Sequence, residues 1–232
     1  MSQFYLPDFI QTCVAGGYIV FLDCKRDAYT ALPKEVTPCL RSLVTDRAIR
    51  LPDDRSEIQD PEVWKAVDEL LEEGILTTKK PDKTFHNKPR VRLQRDLQTA
   101  NLSNKNIFDL RFTLFILRAI IFSFFLKNIL GLRRTISIMS SLPPRARPSP
   151  IPLDELIYTF RYIRPFFYRA KEHCFFDGLV TTYILRKYGF DAVLVFGVSM
   201  PEFAAHCWVE VGDTIVTDPL SATILFSPIM AI

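Results

Sequence analysis

The chain has 232 residues, of which 48% are hydrophobic and 24% are charged. This is an ordinary globular composition, and it excludes disordered, collagen-like and acidic-tail proteins. The length fits two small domains or one large domain. A net charge of +3 is too weak an excess to indicate a protein that binds nucleic acid. The N-terminus lacks the basic start and apolar run of a signal peptide, so we expect a cytoplasmic protein.

Five cysteines are present, an odd number with no repeated spacing. In a reducing compartment this pattern argues against a disulfide framework. Each cysteine is therefore a candidate for core packing, metal ligation or nucleophilic catalysis.

The N-terminal segment predicts a small antiparallel meander. Its three strands are Phe9 to Val14, Tyr18 to Leu22 and Ala28 to Leu32, each bounded by turn residues. A helix start at Pro33 and a stronger one at Asp60-Pro61 follow. Three strands followed by two or three helices predict a winged-helix-like domain over residues 1–78.

Residues 79–106 are basic and carry no sustained hydrophobic period, which predicts a linker. The segment from Ile107 to Leu132 is apolar and long enough to cross a membrane. Arg111 and Arg118 would be costly in lipid, so we expect a buried or interfacial helix with at most a weak tendency to associate with membranes.

The second predicted domain covers residues 107–232. Helical spacing is present from Ile151 to Phe167 and from Lys171 to Tyr188. Three strands then follow, and the last two are joined by Gly212-Asp213. The expected fold class is α+β, with a helix packed on an antiparallel sheet.

Cys174, His206 and Asp218 form the candidate catalytic set. A thiol near a helix N-terminus is favoured as thiolate, and a nearby imidazole can accept and return its proton. A carboxylate at the end of the partner strand can hold the second imidazole nitrogen. The competing interpretation is that Cys174 is an inert, buried thiol.

Two neighbouring residues are weaker candidates. Strand alternation places His206 and Cys207 on opposite faces, so we do not expect both to face one site and we assign Cys207 to the core. His173 is a solvated neighbour, a helper or a zinc ligand, and zinc is disfavoured because adjacent side chains are not aimed at one ion. No role is assigned to His173 or to Asp177.

Four stretches carry a family resemblance: Cys174-Phe-Phe-Asp-Gly-Leu, Leu194-Val-Phe-Gly-Val198, Pro201-Glu-Phe-Ala-Ala-His-Cys-Trp-Val-Glu210 and Thr217-Asp218. Together they resemble the leader peptidase of lasso-peptide biosynthesis. The resemblance implies a transglutaminase-like, papain-related cysteine peptidase domain whose triad is Cys174, His206 and Asp218. The chain departs from the family pattern just after the nucleophile, where it has Phe175 to Gly178.

The N-terminal part resembles the precursor-recognition domain that is fused to many such peptidases, through Phe4-Tyr-Leu-Pro7 and Arg26-Asp-Ala-Tyr29. The resemblance implies that the leader peptide adds to this domain as a strand. It also implies a partner, the asparagine-synthetase-like lasso cyclase. No tightly bound cofactor is expected, and ATP enters through the reaction coupled to the cyclase.

The last strand of the meander is our candidate edge for the leader, because its outer backbone groups have no predicted partner. Side-chain pockets are expected against a stripe on the following helix. The predicted contact residues are Ala28, Tyr29, Thr30, Ala31, Leu32, Trp64, Val67 and Leu71.

Two alternatives stay open at this point. One is acyl transfer to an amine, as in transglutaminases, since water and amines both resolve thioesters. The other is a noncatalytic peptide-binding or assembly module.

Overall fold

The computed structural model describes residues 1–55, 58, 60–82, 87–88, 90–97, 110–147, 149–170 and 173–232. Parts of the predicted linker and the first three residues of the predicted apolar helix lie outside these ranges. The chain divides into two compact units. The first comprises residues 1–87, 198–205 and 227–230, and the second comprises residues 88–197, 206–226 and 231–232.

The N-terminal elements mix two small sheets with short helices. In chain order they are β1 (Ser2–Tyr5), β2 (Ile10–Ala15), β3 (Tyr18–Asp23), β4 (Ala28–Leu32), α1 (Thr37–Leu40), α2 (Ser42–Thr45), β5 (Ala48–Leu51) and α3 (Pro61–Glu72).

The predicted meander is confirmed as the three-stranded sheet β2-β3-β4. Gly16 and Gly17 form its first turn with φ values of 55° and 90°, which favour glycine. The prediction of three strands is incomplete, however. β1 and β5 form a second, antiparallel sheet in which Ser2 is opposite Leu51, and a pairing so distant in sequence has no local signal.

Helix α3 begins and ends as its sequence predicts. The Asp60 carboxylate accepts a hydrogen bond from the Glu62 backbone N–H at 3.0 Å, and Pro61 is the first helical residue. Gly74 follows the helix with φ of 71°. Trp64 and Val67 are buried in the hydrophobic core of this unit, and Leu71 packs against that core.

The remaining elements surround a five-stranded sheet. They are β6 (Arg95–Asp96), α4 (Leu110–Phe125), a π-helical turn (Leu126–Leu130), α5 (Gly131–Ser140), α6 (Leu153–Ile163), a 3-10 turn (Arg164–Phe166), α7 (Cys174–Lys187), β7 (Ala192–Ser199), β8 (Ala204–Val211), β9 (Thr214–Ile215), α8 (Leu220–Thr223) and β10 (Ser227–Ala231). The sheet order is β10-β7-β8-β9-β6.

The two predicted helices of this region are confirmed as α6 and α7. α7 is buried on nearly all sides, as expected for a helix in the centre of a domain. Its Arg186 is fully buried and donates hydrogen bonds to the backbone carbonyl oxygens of Met139 and Ala192, which satisfies much of its polar surface.

The predicted linker needs correction. Within it, β6 pairs in parallel with β9, and the Leu97 backbone N–H donates to the Ile215 carbonyl at 3.0 Å. Arg90 forms an ion pair with the buried Glu210 of β8. Residues 90–97 therefore belong to the second unit, because backbone pairing and a buried charge hold them there. The composition of a segment does not indicate which distant residues it will pair with.

Candidate active site

Cys174 is the first residue of α7 and is partly exposed. This position places its sulfur at the positive end of the helix dipole, where backbone N–H groups have no partner within the helix. The residue before it, His173, is exposed. The helix start therefore presents the thiol of Cys174 for chemistry.

His206 on β8 meets Asp218, which follows β9, with 3.1 Å between Nε2 and Oδ1. This contact leaves Nδ1 of the imidazole for the Cys174 side chain, which is hydrogen bonded to His206. The structure thus brings together the three residues predicted as a triad.

The charges of this triad are coupled. Hydrogen bonds from Cys207 and then from His206 lower the pKa of Cys174 to about 4, against the effect of burial. Hydrogen bonds to Asp218 and Cys174 raise the pKa of His206 to about 9. At neutral pH the pair is therefore a thiolate and an imidazolium, the reactive form of a cysteine nucleophile.

Asp218 stays ionised in this arrangement. Burial raises its pKa, but hydrogen bonds from His206 and Thr217 and the charge of His206 outweigh burial and lower it. An ionised Asp218 holds the imidazole in one orientation and favours its protonated state.

The expectation for Cys207 is wrong in one respect. Cys207 and His206 line the same cavity as Cys174, and hydrogen bonds from the side chain and the backbone of Cys207 lower the pKa of Cys174. The prediction from strand alternation treated the site as lying on one face of the sheet. A Cys174 sulfur that accepts a hydrogen bond from the Cys207 backbone N–H lies instead near the plane of the strand.

The register of β8 explains this contact. The Val209 N–H and carbonyl point toward the β9 side, where they bond Thr217 Oγ1 at 2.9 Å and the Val216 N–H at 2.9 Å. Cys207, two residues earlier, has the same backbone direction. β9 has ended before this position, since it pairs with Glu210 and Val211, so the backbone N–H of Cys207 faces the side of β8 beyond the end of β9.

A cavity of about 480 Å³ opens on the triad. Two arginines of the α6 region, Arg161 and Arg164, contribute to its wall. Arg161 donates to the backbone carbonyls of Leu97 at 2.9 Å and Val216 at 2.7 Å, so it ties α6 to the strands beside the site. The other lining residues are Ala170, Cys174, Asp177, His206, Cys207, Thr217, Asp218 and Pro219.

Asp177, for which the sequence assigned no role, anchors the segment before the nucleophile. Its buried carboxylate accepts hydrogen bonds from Arg164 at 2.6 Å and from the Tyr168 hydroxyl at 2.7 Å. Burial raises the pKa of Asp177, while the charge of Arg164 opposes that rise. Arg164 and Tyr168 were not predicted from the sequence. A signal was present, because a buried carboxylate such as Asp177, one turn into a buried helix, needs a cationic or hydrogen-bonding partner.

Trp208 and Glu210 follow His206 on β8 and support its position. Trp208 is buried, and its indole N–H donates to Glu210 Oε1 at 2.6 Å. A side chain at Gly197 would lie 2.5 Å from the Trp208 ring, so glycine lets the indole lie against β7. The His206 ring packs on Phe226 with 5.4 Å between ring centroids, which restrains the imidazole.

In the first unit, the predicted leader contacts fall into two groups. Thr30, Ala31 and Leu32 of β4 line a cavity of about 450 Å³ whose opposite wall is α3. The Tyr29 ring packs on Phe203 at 5.3 Å, and Ala28 is exposed at the start of the strand.

The predicted stripe on α3 is placed differently. Trp64, Val67 and Leu71 belong to the core cluster or pack against it, because they form the apolar face of an amphipathic helix. The α3 residues that line the cavity beside β4 are Glu62, Lys65, Ala66, Glu69 and Leu70, joined by Glu73 at the helix end.

Comparison with known proteins identifies the type of domain in the C-terminal part of the chain. Residues 120–231 match the family model described as the transglutaminase-like superfamily. The C-terminal part of this mixed α/β chain therefore holds a transglutaminase-like domain, of the cysteine-peptidase and acyltransferase type. No curated protein and no solved structure matches the chain.

The first prediction concerns the ionisation of Cys174. Iodoacetamide reacts with thiolates, so the alkylation rate of Cys174 should already be on its plateau near pH 6, about two units above its pKa. His206→Ala should move the inflection toward the pKa of an ordinary cysteine, because a hydrogen bond and a positive charge are lost. The rate is measured by mass spectrometry of the alkylated peptide, with Cys174→Ala as the background control. An unchanged inflection in His206→Ala would contradict the ion pair.

The second prediction distinguishes the effect of the Cys207 thiol on the pKa of Cys174 from the effect of the Cys207 backbone N–H. Cys207→Ala removes the side-chain donor and should raise the pKa of Cys174 by about one unit, the size of one hydrogen bond to a charged group. Cys207→Ser keeps a donor and should raise the pKa less. Alkylation against pH measures both variants, and equal inflections in the alanine variant and the wild type would show that the thiol contributes nothing.

Proposed function

We propose that this protein is a cysteine endopeptidase that removes the leader peptide from a ribosomally made lasso-peptide precursor. The observation that carries the proposal is the contact of the Cys174 thiolate with His206, itself held by Asp218, at the floor of an open cavity. The four stretches that resemble lasso-peptide leader peptidases supply the choice of substrate.

Cys174 attacks the carbonyl carbon of the scissile peptide bond, and the carbonyl electrons move to oxygen. Backbone N–H groups at the start of α7 stabilise this oxyanion. When the tetrahedral intermediate collapses, His206 gives its proton to the departing amine, which is the N-terminus of the released core peptide. The leader is left as a thioester on Cys174.

Water then hydrolyses the thioester. The neutral His206 takes a proton from the water, which attacks the thioester carbonyl, and Cys174 leaves as a thiolate. Asp218 keeps the imidazole oriented through both steps. Every step uses groups of this chain and water, so the proposed requirement for ATP lies with the partner cyclase, which closes the macrolactam after the leader is gone.

Acyl transfer to an amine shares the thioester with hydrolysis. The match to a transglutaminase-like family supports this second reading equally, because both chemistries use the same triad. The two differ only in the group that resolves the thioester. Mass spectrometry of the leader product distinguishes a free carboxylate from an amide.

The leader is proposed to pair with β4 as an added strand. β4 is the last strand of the sheet β2-β3-β4, and within the described residues no strand pairs with its outer edge. The cavity beside it is lined by apolar atoms of Leu32, Val36 and Leu70. An exposed edge next to a side-chain cavity is the arrangement that binds an extended peptide by β-augmentation.

The walls of this cavity are acidic. Glu35, Glu62, Glu69 and Glu73 line it, against Lys65 as a cation that pairs with Glu62 at 3.7 Å. Charge complementarity therefore favours a leader segment with lysine or arginine side chains between its apolar anchors.

The third prediction tests the triad with a precursor peptide and a coexpressed cyclase. Cys174→Ala should abolish leader release while leaving precursor affinity unchanged, because the nucleophile contributes to chemistry alone. His206→Ala should be as damaging, and Asp218→Asn should be milder, since it loses an orienting group. Cleavage is followed by liquid chromatography and mass spectrometry, with Cys39→Ala as the control. Wild-type cleavage by Cys174→Ala or His206→Ala would refute the proposal.

The fourth prediction tests the acidic cavity. Glu35→Lys should weaken binding of a synthetic basic leader about fivefold, because it places a like charge beside the bound peptide. Glu72→Lys, on the same unit but outside this cavity, changes the net charge equally and serves as the matched control. Fluorescence anisotropy of a labelled leader measures both affinities, and an equal effect in the two variants would place the leader elsewhere.

A further inference from the structure

Helix α4 exposes an entire apolar face. The side chains on this face recur every three or four residues, which is the spacing of one side of a helix. Their exposed fractions range from 36% to 73%. They are Leu110, Leu114, Leu117, Ile121, Phe124 and Phe125.

The opposite face of α4 is buried in the second unit. Phe112, Ile116, Ala119 and Ser123 are buried. The rings of Phe115 and Phe122 pack on Tyr183 of α7, at centroid distances of 6.2 Å and 4.8 Å. The helix is therefore fixed to its own domain on one side, and the apolar face on its other side is exposed in the part of the chain that the structure describes.

The charged residues of the segment that carries this face have a single sign. From residue 110 to residue 153 the chain contains no aspartate or glutamate. The same stretch contains seven basic residues, which are Arg111, Arg118, Lys127, Arg133, Arg134, Arg145 and Arg147. Arginine and lysine extend their charged ends away from the apolar surface that their stems cover, so this segment combines an apolar face with cationic flanks.

By length and composition alone, Leu110–Ser140 is long and apolar enough to cross a membrane. Its geometry argues against a crossing helix. Thr135 Oγ1 donates to the Leu126 carbonyl at 2.7 Å, whereas nine residues of straight helix span about 13 Å. The chain therefore turns back after the π-helical turn, at Gly131 with φ of 71°.

The far end of α5 is also anchored. Arg186, fully buried on α7, donates hydrogen bonds to the carbonyl oxygens of Met139 and of Leu142, the latter at 3.3 Å. A membrane-crossing arrangement of this segment would remove these two partners and leave the buried guanidinium with its hydrogen bond to Ala192 alone among those described.

We propose that α4 binds the surface of an anionic lipid bilayer, lying in its plane. The leucine, isoleucine and phenylalanine side chains enter the boundary between headgroups and acyl chains, and Arg118 and Lys127 meet lipid phosphates. The face carries aliphatic and aromatic side chains with cations beside them and no acidic group, which is the composition of interfacial helices. Protein interfaces are on average no more apolar than the rest of a protein surface.

This attachment would place the peptidase at the membrane surface without inserting it. It rests on α4 and its charges, and it is independent of the reaction at Cys174. A failure of membrane binding would leave the proposed peptidase function untouched, and a failure of cleavage would leave the binding surface untouched.

The test is sedimentation of the full chain with vesicles of phosphatidylcholine, with and without phosphatidylglycerol. We expect binding to the anionic vesicles, weaker binding to the neutral ones, and release by an alkaline carbonate wash. Leu114→Ser combined with Ile121→Ser should lower the partition coefficient about tenfold or more, because two inserted apolar side chains are lost. Ile224→Ser combined with Leu225→Ser is the matched control, since these two side chains are equally apolar and about 70% exposed on another element.

The charge contribution has its own pair of variants. Arg118→Gln combined with Lys127→Gln should reduce binding to anionic vesicles only, whereas Arg41→Gln combined with Arg92→Gln, which changes the net charge equally, should not. Circular dichroism confirms that each variant is folded. Three results would overturn the proposal: no binding to anionic vesicles, binding that resists the carbonate wash, or equal binding by the wild type and the Leu114/Ile121 variant. A dimer that these two substitutions disperse, without vesicle binding, would assign the face to a second copy of the chain.

Discussion

The hydrogen-bonded pair of Cys174 and His206 is the interaction on which the candidate site depends. A separated thiolate at a partly buried position is unfavourable, because desolvation raises its pKa. Three sources offset this cost: the start of α7, the imidazolium of His206, and the two donors of Cys207. Cys13 shows the contrary case, since burial without such partners raises its pKa to about 12.

Each of those sources is held by a different part of the domain. The start of α7 is fixed by Asp177, which binds Arg164 and Tyr168 in the segment that leads to the nucleophile. The orientation of His206 comes from Asp218 and from the Phe226 ring. Arg161 links α6 to the backbone beside β9 and β6. The site thus forms where the ends of helices and strands meet. Hydrogen bonds to charged groups hold these ends in position, and such bonds are strong in a poorly solvated environment.

Two surfaces of the described residues are proposed to bind partners, and they differ in chemistry. The edge of β4 offers backbone groups beside a cavity walled by carboxylates, which suits an extended, basic peptide. The face of α4 offers side chains without hydrogen-bonding groups, flanked by arginine and lysine, which suits anionic lipid. The two surfaces therefore favour partners of opposite charge.

Local signals in the sequence determined much of this molecule. The meander, the capped helix α3 and the helices α6 and α7 follow from hydrophobic period and from capping and turn residues such as Asp60 and Gly74. Cys174, His206 and Asp218 were also predicted as a candidate triad, from a thiol near a helix start, an imidazole on a strand and the resemblance of the stretches that contain them to a peptidase family. The residues of the candidate site thus lie in short stretches of the sequence.

Tertiary structure alone decided which residues surround these local features. The pairing of β1 with β5, the inclusion of β6 in the sheet and the ion pair of Arg90 with Glu210 each join segments far apart in the chain. Cys207 lines the cavity of Cys174 at a point where β9, whose last pair is with Glu210, has ended three residues earlier, and alternation along one strand does not contain that information. Trp64 is in the core and Glu69 is at the cavity because the rotation of α3 about its axis is set by packing. Sequence periodicity specifies which residues share a face, and packing between distant segments specifies what each face meets.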